Sequence, residues 1–191
     1  LVDRSDVARG TSSHCDAMAM LTDKQPGADA ALGYASILRF LELQKELSYD
    51  FECHQEGSLY VCENDSQLEL ATNYVKQMQS EGYDVHIADP YELHEREPFL
   101  ARDLTGGIWS SVDCGLNPYK LCFAFVDQVL GKGLDLYTHN PVTGIKLDEK
   151  GAVCGVETEK GTLITNKVVN ACGVWSNVIG DMVGVDIPVL P

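Results

Sequence analysis

The sequence predicts an α/β fold in which part of a parallel sheet is joined to a three-stranded β-meander. Three observations carry this expectation. Helical stripes alternate with short strand-like runs between residues 29 and 130. The tripeptide Glu-Lys-Gly recurs at 149–151 and 159–161 as the turns of a meander. Val168-Val169-Asn170-Ala171 is nearly continuous apolar chain, the pattern of a parallel strand covered on both faces.

The elements follow in order. Leu1-Val2-Asp3-Arg4 reads as the end of a strand, and Arg9-Gly10-Thr11-Ser12-Ser13-His14 as a polar loop of small residues. After a turn at Pro26-Gly27, the spacing of Leu32, Ala35, Leu38, Leu41 and Leu47 predicts a helix ending near Tyr49. Ser58 to Glu63 has strand composition between Gly57 and Asn64-Asp65. Ser66 with Glu69 suits a capping box, Leu68, Ala71, Val75 and Met78 an apolar stripe, and Gly82 the left-handed position that ends a helix. Val85 to Ala88 predicts a strand, Pro90 to Pro98 a helical turn, and Gly106 to Ser111 another strand. Pro118 opens a helix whose stripe is Leu121, Phe125, Val129 and Leu130. Leu134 to Thr138 predicts a strand before the meander from Val142, and a glycine at the third turn position suits a three-residue hairpin. Gly173 ends the last strand, and a helix follows toward Gly184.

The 191 residues carry 14 Lys plus Arg against 29 Asp plus Glu, a formal charge of −15. Such a surface repels a phosphate backbone or an anionic membrane, so a nucleic-acid partner is not expected and any bound phosphate must be held locally. With 45% apolar and 23% charged residues the chain is globular. Its length suffices to bury roughly 70% of the surface of its unfolded form. Seven cysteines without a CxxC pair or zinc spacing read as reduced thiols, which suits a cytoplasmic location. No run approaches the roughly 18 apolar residues of a membrane span. The opening Leu1-Val2-Asp3, with an acid after apolar residues, is read as lying inside a longer chain.

Three constellations bear on chemistry. Asp3 stands where an acid at the end of a strand accepts hydrogen bonds from ribose hydroxyls in a dinucleotide-binding unit, although the chain's one GxG, Gly131-Lys132-Gly133, has Leu136 where a third glycine belongs. Arg9 to Ser13 can present backbone amides and hydroxyls to a diphosphate. Ala171-Cys172-Gly173-Val174-Trp175 ends a strand with residues small enough to admit a ligand to the backbone. Each also has an ordinary structural reading: a surface acid, a polar loop, a tight strand-to-helix turn.

Taken together and in order, these pieces resemble the FAD-dependent amine and amino-acid oxidoreductases, the group of glycine oxidase, sarcosine oxidase and D-amino acid oxidase. The matching stretches are residues 1–4, 6–13, 113–118 and 168–176, with Ile187-Pro-Val-Leu-Pro191 at the end. The resemblance implies that FAD is the cofactor, that residues 1–47 and 114–191 belong to the FAD-binding domain, and that 48–113 supply a substrate-binding α+β segment with a mainly antiparallel sheet. It implies that Asp3 and Arg4 meet the adenosine ribose and that Thr11, Ser12 and Ser13 lie along the diphosphate and ribityl chain. It further implies that Ala17 and Met18 approach the isoalloxazine ring, that Val142 offers its backbone to the adenine, and that Ala171 and Gly173 close the cofactor channel.

The implied reaction removes hydride from the carbon beside nitrogen of a small-molecule amine or amino acid, with transfer to the flavin and hydrolysis of the imine. Met18 stands where some relatives carry a basic residue, so an acceptor other than oxygen, and hence a dehydrogenase with a separate electron acceptor or partner subunit, is as consistent as an oxidase. No catalytic residue is assigned; His14 is the nearest ionisable side chain, and a loop-bonded histidine is its ordinary reading. Two alternatives remain: an FAD-dependent 2-hydroxy acid or glycerol-3-phosphate dehydrogenase, and an isolated domain or electron-transfer subunit without turnover of its own.

Overall fold

The computed structural model describes residues 1–189; Leu190 and Pro191, the last two residues of the motif that begins at Ile187, lie outside them. The chain divides into two compact units, Gly10–Gln128 and Leu1–Arg9 with Val129–Pro191.

In the Gly10–Gln128 unit, β1 (Met18–Ala19), α1 (Ala28–Glu46), β2 (Ser58–Cys62), α2 (Asp65–Ser80), β3 (Val85–Ala88), α3 (Pro90–Arg96), β4 (Gly106–Ser110), β5 (Cys114–Gly115) and α4 (Pro118–Leu130, whose last two residues lie past the unit's boundary) follow one another. β2, β4 and β3 form an antiparallel sheet in that order, with Tyr60 and Ile87 both opposite Ile108. β1 pairs antiparallel with β5, Met18 opposite Gly115.

α1 has the expected length but a different face inward. Ala30 and Ile37 are buried, with Tyr34 and Leu41 packed on the same core, whereas Leu32 and Leu38 are exposed. Positions 30, 34, 37 and 41 are as regularly spaced as the predicted stripe, and Tyr34, edge-on to Tyr83, fills the space against the core.

The N-cap of α2 is Asn64, two residues before the predicted Ser66. The Asn64 side chain accepts from the Gln67 amide at 3.0 Å, and Gln67 Oε1 accepts from the Glu63 amide at 2.7 Å. Asn64 and Gln67 repeat the cap spacing one turn edge earlier, and asparagine is at least as good an N-cap as serine. The stripe of Ala71, Val75 and Met78 is buried as expected, and Gly82 ends the helix at φ +92°. In α4, Leu121 and Ala124 face inward while Phe125 and Leu130 stay exposed, one step round the helix from the predicted stripe.

Tyr74, on α2, donates its hydroxyl to the Leu21 and Lys24 carbonyls at 3.0 and 3.1 Å. Burial, with the nearby Asp113 charge adding, pushes its phenol up to about 12. A raised folded value means that the stabilisation is complete below the ordinary phenol range near pH 10 and is lost as pH rises through about 12. In a spectrophotometric alkaline titration, one of the eight tyrosines is expected to ionise last and together with unfolding; eight ionisations superimposed near pH 10 would contradict this placement.

The other unit holds the antiparallel meander β6 (Val142–Leu147), β7 (Val153–Thr158) and β8 (Gly161–Ile164), followed by a 3₁₀ turn at Gly173–Trp175 and α5 (Ser176–Asp181). Its parallel element is the Val2–Tyr137 bridge, with Asp3 and Tyr137 donating amides to the Tyr137 and Leu1 carbonyls at 2.9 Å. The strand expected at Leu134 to Thr138 is reduced to that bridge. Gly151 takes φ +80° in the first meander turn, where Asp148 Oδ1 accepts from the Lys150 and Ala152 amides. The second turn is tighter: Thr158 pairs with Gly161, so that glycine opens β8 instead of closing a three-residue loop. Val168 to Ala171 is not a strand. No ladder partner lies beside it among the described residues, and Val169 is 90% exposed. Asn170 instead shapes the reversal, its side-chain amide donating to the Ser176 carbonyl at 2.9 Å.

Among the described residues no helix is long and apolar enough to cross a membrane, and none of the seven cysteines is disulfide-bonded.

Candidate functional site

The sequence-predicted site residues fall in both units. In the first residues of the chain, Asp3 is exposed and its Oδ1 accepts from the Ser5 amide at 2.7 Å, which fixes the carboxylate in a tight local turn. Arg4 is exposed and lies face-on over Trp175, 4.4 Å from the ring centroid. Gly173 opens the turn that carries Trp175 at φ +56°, with no atom within 4 Å of where a Cβ would stand. Ala171 is exposed two residues before that turn, and Val142 begins β6 opposite Thr158. The structure therefore brings Arg4 together with the Gly173–Trp175 turn, and the Asp3 backbone together with Tyr137.

The remaining residues belong to the other unit. Gly10, at φ +87°, leads into a 3₁₀ turn at Thr11–Ser13 that leaves Thr11 and Ser12 exposed. Ser13 Oγ donates to the Gly10 carbonyl at 2.9 Å. His14 is tied to the same loop, Nδ1 lying 2.7 Å from the Gly10 carbonyl, which gives that nitrogen the proton. Ala17 sits at φ +65° and accepts from the Leu116 amide at 2.9 Å. Met18 donates its amide to Asp16 Oδ1 at 3.2 Å and is 40% exposed.

Ser13, Ala17 and Met18 line one open groove of about 620 Å³ together with Asp16, Glu52, His54, Gly115 and Tyr119. Its floor is the β1–β5 ladder, continued by the His54–Gly115 bridge. A Cβ at Gly115 would meet only the Met18 sulfur, at 3.8 Å, so this part of the floor is clear. Tyr119 donates its hydroxyl to the Ser13 carbonyl at 3.1 Å and joins α4 to the hydroxyl-rich loop.

Sequence reasoning missed the supports of this groove. Asp113 is wholly buried and accepts four hydrogen bonds: the Leu21 amide at 2.8 Å and Ser110 Oγ at 2.9 Å on Oδ1, Ser58 Oγ at 2.6 Å and Thr22 Oγ1 at 3.1 Å on Oδ2. It fixes the chain on both sides of the groove: just after β1 and just before β5. Glu52 takes φ +58°, uncommon for a side-chain-bearing residue, and bonds Asn117 Nδ2 at 2.9 Å and Lys120 Nζ. The Lys120 bond, with the Asn117 bond adding, holds the Glu52 carboxyl below its ordinary range. Asn117 also caps α4, its Oδ1 accepting from the Lys120 amide at 3.1 Å. The signal available for this cap was an asparagine directly before Pro118. Beneath the ladder, the Cys53 and Cys114 sulfurs lie 3.8 Å apart; burial pushes the Cys114 thiol up to about 12, so it is no nucleophile at neutral pH.

The family model described as FAD dependent oxidoreductase matches residues 1–191. The chain belongs to the FAD-dependent oxidoreductase family. It is 28% identical over 193 residues to the mitochondrial dimethylglycine dehydrogenase of Rattus norvegicus, an alignment covering 100% of this chain and 22% of that protein. It is 30% identical over 150 residues to anaerobic glycerol-3-phosphate dehydrogenase subunit A1 of Haloferax volcanii, covering 71% of this chain and 25% of that one. The crystal structure of glycine oxidase from Geobacillus kaustophilus superposes with a TM-score of 0.87 at 22% identity, over 100% of this chain and 52% of that chain. The chain thus spans about a quarter or less of these curated relatives and about half of the solved structure.

For this member of the FAD-dependent oxidoreductases the residues present suit the cofactor. An oriented acid beside a free-standing guanidinium matches a sugar and phosphate; exposed hydroxyls on a glycine-led turn match a polar chain; a floor without a side chain at Gly115 can accept a flat ring.

Proposed function

We propose that the full-length protein oxidises the C–N bond of an amine or amino acid with FAD as cofactor. Asp3 and Arg4 would hold the adenosine ribose, Thr11, Ser12 and Ser13 the diphosphate and ribityl chain, Ala17 and Met18 the isoalloxazine, Val142 the adenine, and Ala171 and Gly173 the channel wall. When bound, FAD supplies the electron acceptance that no side chain can provide. The chain's own contribution is to fix Ala17 and Met18 through the β1–β5 ladder, to keep the floor clear at Gly115, and to orient the reacting carbon.

The observation that carries the amine reading is the charge of the groove. Asp16 and Glu52 line it, Glu52 is already matched by Lys120, and Asp16 is left as a net negative charge that favours an ammonium over an anionic substrate. The second reading, a hydroxy acid or glycerol-3-phosphate substrate, is favoured by the likeness to the Haloferax subunit. Residues 1–47 and 114–191 are proposed as FAD-binding parts and 48–113 as the substrate-binding segment, for which the β2-β4-β3 sheet would be the wall. The free thiols support a reducing compartment such as the cytoplasm, and a separate electron acceptor or partner subunit belongs to the dehydrogenase form of the proposal.

Anaerobic mixing of the full-length flavoprotein with a panel of secondary and tertiary amines, amino acids, 2-hydroxy acids and glycerol-3-phosphate tests this. Bleaching of the flavin absorbance by an amine or amino acid is the expected result. Bleaching confined to hydroxy compounds would remove the amine reading and leave the second.

A further inference from the structure

Arg4 is the one cation of its unit that, among the described residues, lies over an aromatic face. Lys146 pairs with Glu157 at 3.2 Å, and Lys160 donates to the Thr138 carbonyl at 3.2 Å. Among the described residues the Arg4 guanidinium has no hydrogen-bond or ion-pair partner, and what holds it is the face of Trp175 at 4.4 Å. The Trp175 face engages the guanidinium, and the N–H groups of the fork have no hydrogen-bond partner among the described residues. Beside it, Asp3 is already oriented through Oδ1 and retains Oδ2 as an acceptor. The Arg4 guanidinium is a point of positive charge in a chain whose overall charge of −15 repels anions.

We propose that Trp175 is a positioning residue: it holds Arg4 so that the guanidinium meets the phosphate-bearing adenosine portion of FAD while Asp3 receives the ribose hydroxyls. This rests on the flavoprotein reading above. An arginine free in solvent loses most of its rotamer freedom when it grips a phosphate; one already stacked has lost part of it before the ligand arrives. The turn that supplies the ring is itself braced, by Asn170 bonding the Ser176 carbonyl and by the left-handed backbone at Gly173.

The test uses the full-length protein stripped of flavin and titrated with FAD, and separately with ADP, in wild type, Trp175→Phe, Trp175→Ala, Arg4→Ala and the double variant Arg4→Ala/Trp175→Ala. Trp175→Ala is expected to weaken FAD and ADP alike by about fivefold, the size of one exposed cation–π pair, while Trp175→Phe keeps most of the affinity. Arg4→Ala is expected to weaken both further, and adding Trp175→Ala to it should change nothing more. A purely structural tryptophan would weaken binding equally with or without Arg4, so additive losses would overturn the proposal, as would unchanged affinity in a folded Trp175→Ala protein. A wild-type apoprotein that takes up no FAD would overturn the flavoprotein reading, and this proposal with it.

Discussion

Replacing Asp113 with alanine is expected to lower the unfolding free energy by about 3–5 kcal/mol, the largest loss from any single change at the groove. The residue is 0% exposed and its two oxygens serve four donors drawn from residues 21, 22, 58 and 110. Removing the carboxylate strands the Leu21 amide, which has no freedom to turn elsewhere, and leaves three hydroxyls to find other acceptors inside a buried space. Each orphaned buried group costs roughly 1–3 kcal/mol, and partial re-pairing of the hydroxyls keeps the sum below four full penalties. Asp113→Asn should cost less, about 1–3 kcal/mol, because an amide keeps one acceptor and hydroxyls can accept from its NH₂. Urea unfolding of wild type and both variants measures this, and an unchanged midpoint for Asp113→Ala would show that the four bonds are not holding the unit together.

Gly57→Ala is expected to cost about 3 kcal/mol for a different reason. Its φ is +79°, and a Cβ there would lie 2.3 and 2.5 Å from Trp109 ring carbons and 2.7 Å from the Ser110 carbonyl oxygen. The ring has little room to yield, because the Arg96 guanidinium sits over it at 3.7 Å. Gly57 also donates its amide to the Asp113 carbonyl at 3.1 Å, so a displaced backbone would disturb the same junction. Gly82 is the control: its φ is +92°, yet nothing lies within 4 Å of a Cβ built there, and Gly82→Ala should show only the backbone cost, about 1 kcal/mol. Equal destabilisation by the two substitutions, read from denaturant midpoints, would rule out the clash with Trp109 as the cause.

Local chemistry was legible where a residue type has one use. Gly82 and Gly151 take the left-handed backbone expected of them, and the stripe of Ala71, Val75 and Met78 faces the core. Where two placements were chemically equivalent, the letters could not choose. Asn64–Gln67 and Ser66–Glu69 both satisfy a capping pattern, and the two stripes of α1 differ by a rotation that shows in the burial of Ala30 and Ile37 and the packing of Tyr34 on Tyr83. The Val168 to Ala171 run has the composition of a buried strand, but composition cannot supply a neighbour, and the segment has no ladder partner among the described residues. The hydroxyl-rich loop was singled out from its residue types and Met18 only through the family resemblance; Ser13 of that loop and Met18 line the same groove. Asp113 was quoted only as the start of a motif, since its donors at 21, 22, 58 and 110 share no periodicity with it. Glu52 gave no warning at all, because a positive φ at a glutamate leaves no mark in composition.

The β1–β5 ladder joins Met18 to Gly115, and Asp113 reaches back 92 positions to Leu21. Closing a loop of that length costs more chain entropy than closing the shorter loops between β2, β3 and β4. The floor of the groove therefore depends on pairings more distant in sequence than those of the β2-β4-β3 sheet. Occupancy of the cleft then acts as mass-action stabilisation of the whole Gly10–Gln128 body, and cofactor saturation should raise its melting temperature as a single cooperative transition.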